Sequence, residues 1–186
     1  MGDDGEPVVL FVSRLHPKKR LDVLIEAAAR LRDDGLACRF LIAGTGESDY
    51  EQQLRDLVQQ RDLGDCVYFL GFVSGLEKLS LYEAADVFVL PTFQENWGFV
   101  LIESLACATP LITTRAVDIW PELQTSGGAV IVDPTVDATV AAISEILGDR
   151  ERLEAMGSQG RAWVFDNLSI DRVVDRYEQL YRREPS

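Results

Sequence analysis

The chain has 186 residues, 47% of them hydrophobic and 26% charged, which is ordinary for a globular protein of one domain whose core needs no disulfide or metal staple. Its formal net charge of −13 argues against nucleic acid and against an anionic membrane surface as partners. No signal peptide and no uninterrupted apolar run of about 18 residues stands out, so no membrane span is expected and the expected location is cytoplasmic.

Residues 1–7 read as a flexible polar tail, and 8–186 as a single domain. Val8–Val12 is a strand, followed by the loop Ser13-Arg-Leu-His-Pro-Lys-Lys-Arg20. Leu21–Leu31 repeats apolar residues at helical spacing, and Gly35 closes that helix. Arg39–Ala43 is a second strand ending in Gly44-Thr-Gly46, and Tyr50–Gln60 a second amphipathic helix. Val67–Leu70 is a third strand, running into Gly71-Phe-Val73, and Leu76–Ala85 is helical. A buried strand, Val87–Leu90, is stopped by Pro91. After a polar loop, Gly98 opens an apolar helix, Phe99–Cys107, which Pro110 ends before a fifth strand, Leu111–Thr113. Pro121 marks a short helix over Ile119–Leu123. Ala129–Val132 is strand six and Val136–Leu147 a helix. Arg150–Phe165 is helical, although Gly157 and Gly160 weaken it, and Ser169 caps a last amphipathic helix, Ile170–Arg183. Six strands alternating with helices predict an α/β fold: a three-layer, Rossmann-like, doubly wound parallel sheet. The three cysteines, Cys38, Cys66 and Cys107, show no Cys-x-x-Cys spacing and sit in or beside apolar runs, which reads as buried free thiols in a reducing compartment.

Two features carry chemistry. Four of the 18 Lys and Arg residues, Arg14, Lys18, Lys19 and Arg20, crowd the loop after strand one of an acidic chain. From Asn96 to Thr114 the only charged residue is Glu103, inside the apolar helix, and Glu95 stands eight positions earlier in the loop. An ionised carboxylate in apolar surroundings needs partners. Both clusters fall at the C-terminal edge of the predicted sheet, where open α/β sheets bind ligands. Arg and Lys there can hold phosphates. Carboxylates can accept bonds from sugar hydroxyls, each charge-assisted bond contributing roughly 1.5–3 kcal/mol. The helix start at Gly98 adds free N–H donors. A ligand with phosphates at one point and hydroxyls at another is a nucleotide sugar. The P-loop pattern is absent, Gly44-x-Gly46 lacks the third glycine of the dinucleotide fingerprint, and no Asp-x-Asp or His cluster signals a metal.

These motifs occur in order as Ser13-Arg-Leu-x-Pro-x-Lys19, Ile42-Ala-Gly-Thr-Gly46, Phe69-Leu-Gly-Phe-Val73, Ala85-Asp-Val-Phe-Val-Leu-Pro91, Glu95-x7-Glu103 and Thr109-Pro-Leu-Ile-Thr113. From Val8 to Arg183 the chain resembles the C-terminal, donor-binding domain of the family-four retaining glycosyltransferases of GT-B architecture, the glycosyl transferases group 1. The resemblance implies the following roles. Arg14 and Lys19 bind the donor pyrophosphate and stabilise the leaving nucleotide. Glu95 holds hydroxyls of the transferred hexose, as a binding group and not a nucleophile. These three are the catalytic residues it implies. Glu103 accepts from the ribose hydroxyls. The backbone of Gly98, Phe99 and Val100 meets sugar or phosphate, Phe72 and Val73 flank the base, and Gly44 and Thr45 line the donor site.

The implied donor is a UDP-, GDP- or ADP-sugar, with no metal and no other cofactor. The implied acceptor is a saccharide or a lipid-linked acceptor, bound by an N-terminal domain supplied in cis or in trans. Alone, the chain is expected to bind nucleotide and to turn over slowly or not at all. The alternatives are a non-catalytic interaction module with a vestigial site and a relative of the sugar phosphorylases or sucrose-type synthases. Three departures from the family pattern stand out: Arg20 and Ala108 where glycine is common, and Asn96-Trp97 in the sugar loop. If Ala108 is left-handed it costs about 1–2 kcal/mol. The last helix carries an apolar stripe, Ile170, Val173, Val174, Tyr177, Leu180 and Tyr181, which in such enzymes packs toward the other half.

Overall fold

The computed structural model describes residues 5–182. Six strands form one parallel sheet: β1 (Val8–Val12), β2 (Arg39–Ala43), β3 (Val67–Gly71), β4 (Val87–Leu90), β5 (Leu111–Thr114) and β6 (Ala129–Val132). Their order is β3-β2-β1-β4-β5-β6, with every pairing parallel. The direction of winding reverses between β1 and β4, and the loops that follow these strands part there, as at the ligand crevice of other doubly wound sheets.

Among the described residues eight α-helices connect and cover the strands: α1 (Leu21–Asp33), α2 (Ser48–Gln60), α3 (Gly75–Ala84), α4 (Phe99–Ala106), α5 (Trp120–Thr125), α6 (Val136–Leu147), α7 (Arg150–Leu168) and α8 (Ile170–Arg182). α1 packs against α2 and α6, while α4 packs against α3 and α7. β1 and β4 lie at the centre, and from Val9 to Phe11 and Val87 to Leu90 their side chains are fully buried. These are the continuous apolar runs expected of strands covered on both faces. The fold is the predicted one.

Differences in detail have local causes. Gly157 and Gly160 do not interrupt α7, which runs unbroken through them. A Cβ on Gly157 would stand 2.2 Å from the Ala108 carbonyl oxygen, and one on Gly160 2.7 Å from a Leu105 methyl. These glycines let α7 approach the end of α4, and that packing outweighs their weak helix propensity. Ala108 does adopt the left-handed conformation, at φ 61°. Thr109 N–H bonds to Ser104 O at 3.0 Å and Ala108 N–H to Leu105 O at 2.9 Å, a Schellman cap on α4. Of the proposed tail, residues 1–4 lie outside the described part. Pro7 O accepts from Arg39 N–H at 2.8 Å and Glu6 pairs with the Arg39 side chain at 3.4 Å. Arg183 likewise lies outside the described residues. Among the described residues no helix is long and apolar enough to cross a membrane. α8 buries none of its residues, and its apolar stripe faces outward, with Ile170 at 78% and Tyr181 at 84% exposed.

Candidate functional site

The loops leaving β1, β2 and β3 are stitched together by their backbones. Ser13 N–H bonds to Ala43 O at 3.1 Å, Leu15 N–H to Thr45 O at 2.9 Å, and Gly44 N–H to Gly71 O at 2.7 Å. This closeness excludes a side chain at position 44: Gly44 has φ 138°, and a Cβ there would lie 1.9 Å from Ser13 O. Beside this floor opens a cleft of about 580 Å³. Its lining includes Arg14, Gly44, Thr45, Phe72, Val73, Lys78 and Val100. Phe72 is largely exposed whereas Val73 is buried, so the cleft has an apolar wall with one edge free.

The basic loop turns through a short 3-10 segment, Pro17–Lys19. His16 Nδ1 accepts from Lys18 N–H at 3.1 Å and so acts as its cap. Lys18 O in turn accepts from Phe93 N–H at 3.0 Å and from the buried Thr92 hydroxyl at 2.8 Å, which ties the loop after β4 onto the basic loop. The backbone of Glu95 is held from the other side, its N–H bonding to Ala116 O at 3.0 Å and its carbonyl accepting from Asp118 N–H at 2.9 Å. The outcome is a direct ion pair in which the Lys19 ammonium donates to Glu95 Oε2. Both side chains are more than four-fifths shielded. A second cavity of about 380 Å³ opens beside this pair, and Arg14 and His16 border both cavities.

Gly98, at φ 66°, starts α4 in a conformation that favours glycine. Glu103 lies just past the first turn and is not left unpartnered. Its Oε1 accepts from Lys78 Nζ at 2.7 Å and its Oε2 from the Tyr82 hydroxyl at 3.2 Å. Tyr82 is fully buried and packs edge-on against Phe88 at 5.6 Å. Burial first, then the Glu103 charge and the hydrogen bond to it, push the Tyr82 phenol far upward, so it stays a neutral donor.

The structure therefore brings most of the expected residues together. Arg14, Gly44, Thr45, Phe72, Val73 and Val100 border the larger cleft, and Arg14, Lys19 and Glu95 the smaller. Gly98 and Phe99 stand at the start of α4 and border neither cavity, and Phe99 is 72% exposed. Glu103 also borders neither, and Lys78 occupies the cleft wall beside it. Arg20 does not join the cation cluster: it turns at φ 53° and pairs with Asp22 at 3.2 Å. Sequence reasoning missed Lys78 and Tyr82. They lie four apart on one face of α3, and the demand of Glu103 for a cationic partner was the available signal. Among the described residues no group of three His, Cys, Asp or Glu side chains is placed to hold a metal ion.

The D-inositol 3-phosphate glycosyltransferase of Nocardia farcinica is 35% identical over 159 residues, 82% of this chain and 35% of that protein. The GDP-mannose-dependent alpha-(1-6)-phosphatidylinositol monomannoside mannosyltransferase of Mycobacterium tuberculosis is 34% identical over 186 residues, covering 95% of this chain and 47% of its own. The solved sucrose-phosphate synthase from Thermosynechococcus elongatus superposes with a TM-score of 0.84 at 30% identity, over 96% of this chain and 45% of that one. The chain thus spans less than half the length of each of these proteins. With residues 2–163 matching the family description and the sheet shared with a solved relative, the chain belongs to the glycosyl transferases group 1.

Proposed function

We propose that this chain is the donor-binding half of a retaining glycosyltransferase, which holds a nucleotide-diphosphate sugar while a second domain presents the acceptor. The observation that carries this reading is the position of Arg14 at the junction of two cavities. One is apolar-walled and large enough for a nucleoside, and the other is bordered by Lys19 and Glu95. A donor laid across them has its base near Phe72 and Val73, its diphosphate over Arg14 and its hexose beside Glu95. The Arg14 fork and the Lys19 ammonium then face the oxygens that gain charge when the bond from the anomeric carbon to phosphate breaks. The electron pair of that bond leaves with the nucleotide diphosphate. The acceptor hydroxyl oxygen bonds to the same carbon from the same face, and its proton passes to the departing phosphate oxygen. Lys19 is engaged by Glu95. A diphosphate competes for that ammonium, and Glu95 turns its freed oxygen to sugar hydroxyls.

The hexose, acceptor and nucleotide belong to this proposal as classes: a UDP-, GDP- or ADP-hexose and a saccharide or lipid-linked acceptor. The name of the mycobacterial relative, which specifies GDP-mannose, makes the guanine nucleotide the first to try. The exposed stripe of α8 is the surface offered to an acceptor-binding half, in cis or in trans. The test is a thermal-shift panel of UDP, GDP and ADP, their sugars and their nucleosides. A nucleotide present at 100 times its Kd stabilises the fold by about 2.7 kcal/mol. A shift with one base, larger for the diphosphate than for the nucleoside, supports the proposal, and no shift with any member at millimolar concentration contradicts it.

A further inference from the structure

The wall of the larger cleft presents a cation where the resemblance leads one to expect an anion. Lys78 borders the cleft together with Phe72, Val73 and Val100, whereas Glu103 does not border it. The Lys78 ammonium lies 2.7 Å from Glu103 Oε1, and the Tyr82 hydroxyl takes the other carboxylate oxygen. The side chains of the pair remain 25% and 31% accessible, so this is neither a sealed structural ion pair nor a freely solvated one. Glu103 fixes the position of the ammonium. Tyr82 is buried and also held through its carbonyl by the Thr109 hydroxyl at 2.6 Å, so it fixes the carboxylate in turn. The chain of contacts from core to cleft is Tyr82, Glu103, Lys78, with an N–H donor at its open end.

From this arrangement we infer that Lys78 is a specificity-determining residue of the nucleotide site, selecting bases that carry a ring carbonyl, uracil or guanine, over adenine. The inference rests on the proposed donor-binding reading. A lysine ammonium has three donors and no acceptor. It bonds to a carbonyl oxygen of uracil or guanine. Against adenine, whose exocyclic group at the corresponding position is an amine, it meets donor with donor, and one of its bonds is lost on desolvation. The other base-flanking groups named here, Phe72 and Val73, have apolar side chains and supply contact area without this discrimination.

The test is titration calorimetry of the chain and of Lys78→Met with UDP, GDP, ADP and inorganic pyrophosphate. Met keeps the unbranched stem and removes the donor, and Glu103 retains its bond to Tyr82. The expected result is that the unsubstituted chain binds UDP or GDP about tenfold or more tighter than ADP. Lys78→Met brings that ratio to within about threefold, and pyrophosphate affinity is unchanged. Comparing the UDP and GDP arms tells which carbonyl base is taken. If nucleotides bind but their affinity ratios are the same in both proteins, the inference is overturned while the donor-site reading stands. If no nucleotide binds to the unsubstituted chain, both are overturned. Lys78→Arg is the control for folding and charge: it keeps the donor, and it must preserve the preference against ADP.

Discussion

The Lys19 ammonium donates directly to the Glu95 carboxylate, across 76 positions of sequence, and joins the loop after β1 to the loop after β4. The contact depends on two clamps, the hydrogen bonds from the Thr92 hydroxyl and Phe93 N–H to Lys18 O and the two backbone hydrogen bonds between Glu95 and the loop after β5. Each group therefore satisfies the other, and on the proposed reading a donor divides them.

This competition gives a prediction with opposite signs for two ligands. Glu95→Gln removes the charge that engages Lys19 and keeps the side-chain shape. Affinity for the free nucleotide diphosphate should rise, by a few-fold to tenfold, because the ammonium is available to phosphate. The extra affinity contributed by the hexose should fall, since a neutral amide accepts hydroxyl bonds more weakly than a carboxylate. Calorimetry with the diphosphate and with its sugar separates the two. A loss of equal size for both ligands contradicts the assigned division.

The close contact between α7 and the end of α4 predicts two stability changes. Ala108→Gly relieves a left-handed alanine costing about 1–2 kcal/mol, offset by about 0.4–1 kcal/mol from a looser unfolded chain, for a net gain of about 0–1.6 kcal/mol. Gly157→Ala gains about 1 kcal/mol of helix propensity. It also drives a methyl group toward the Ala108 carbonyl, so a net loss of about 1–2 kcal/mol is expected. Urea unfolding checks both, with unchanged m-values expected.

Burial raises the Cys38 thiol to about 11, with smaller contributions from Asp86, Cys66 and Glu6. Its ordinary value is 9.0, so in the unfolded chain it ionises first. Between pH 9 and 11 the folded state then holds more protons than the unfolded one, and stability falls as pH rises. This contribution is fully present below pH 9 and exhausted above 11, and at about 1.4 kcal/mol per pH unit it amounts to at most about 3 kcal/mol. Cys38→Ala should flatten the stability profile across this window. A profile with the same slope in both proteins would show that Cys38 is not the titrating group.

The fold was legible because buried parallel strands and amphipathic helices have different apolar periods, and both survive in Val87–Leu90 and in Leu21–Leu31. The candidate ligand edge was legible because the chain is acidic, so the basic loop at Arg14–Arg20 stands out against the rest. The partners were harder to read. Glu103 signals a need for a cation but not its source, and Lys78 lies 25 positions earlier on a helix whose pattern reads as ordinary surface. Arg20 looked like one more phosphate ligand, yet Asp22 two positions on takes it, a local pairing that composition does not reveal. Gly157 and Gly160 looked like helix breakers because the backbone they approach belongs to another element.

The central claim is that Arg14 holds the diphosphate between a nucleoside cleft and a sugar cavity. Calorimetric titration of the chain and of Arg14→Ala, each with the preferred nucleotide diphosphate and with its nucleoside, tests it most directly. The account predicts that Arg14→Ala weakens the diphosphate by tenfold or more, about 1.4 kcal/mol or beyond, and leaves the nucleoside within about twofold. Equal losses for diphosphate and nucleoside, or no binding of either ligand to the unsubstituted chain, would contradict it.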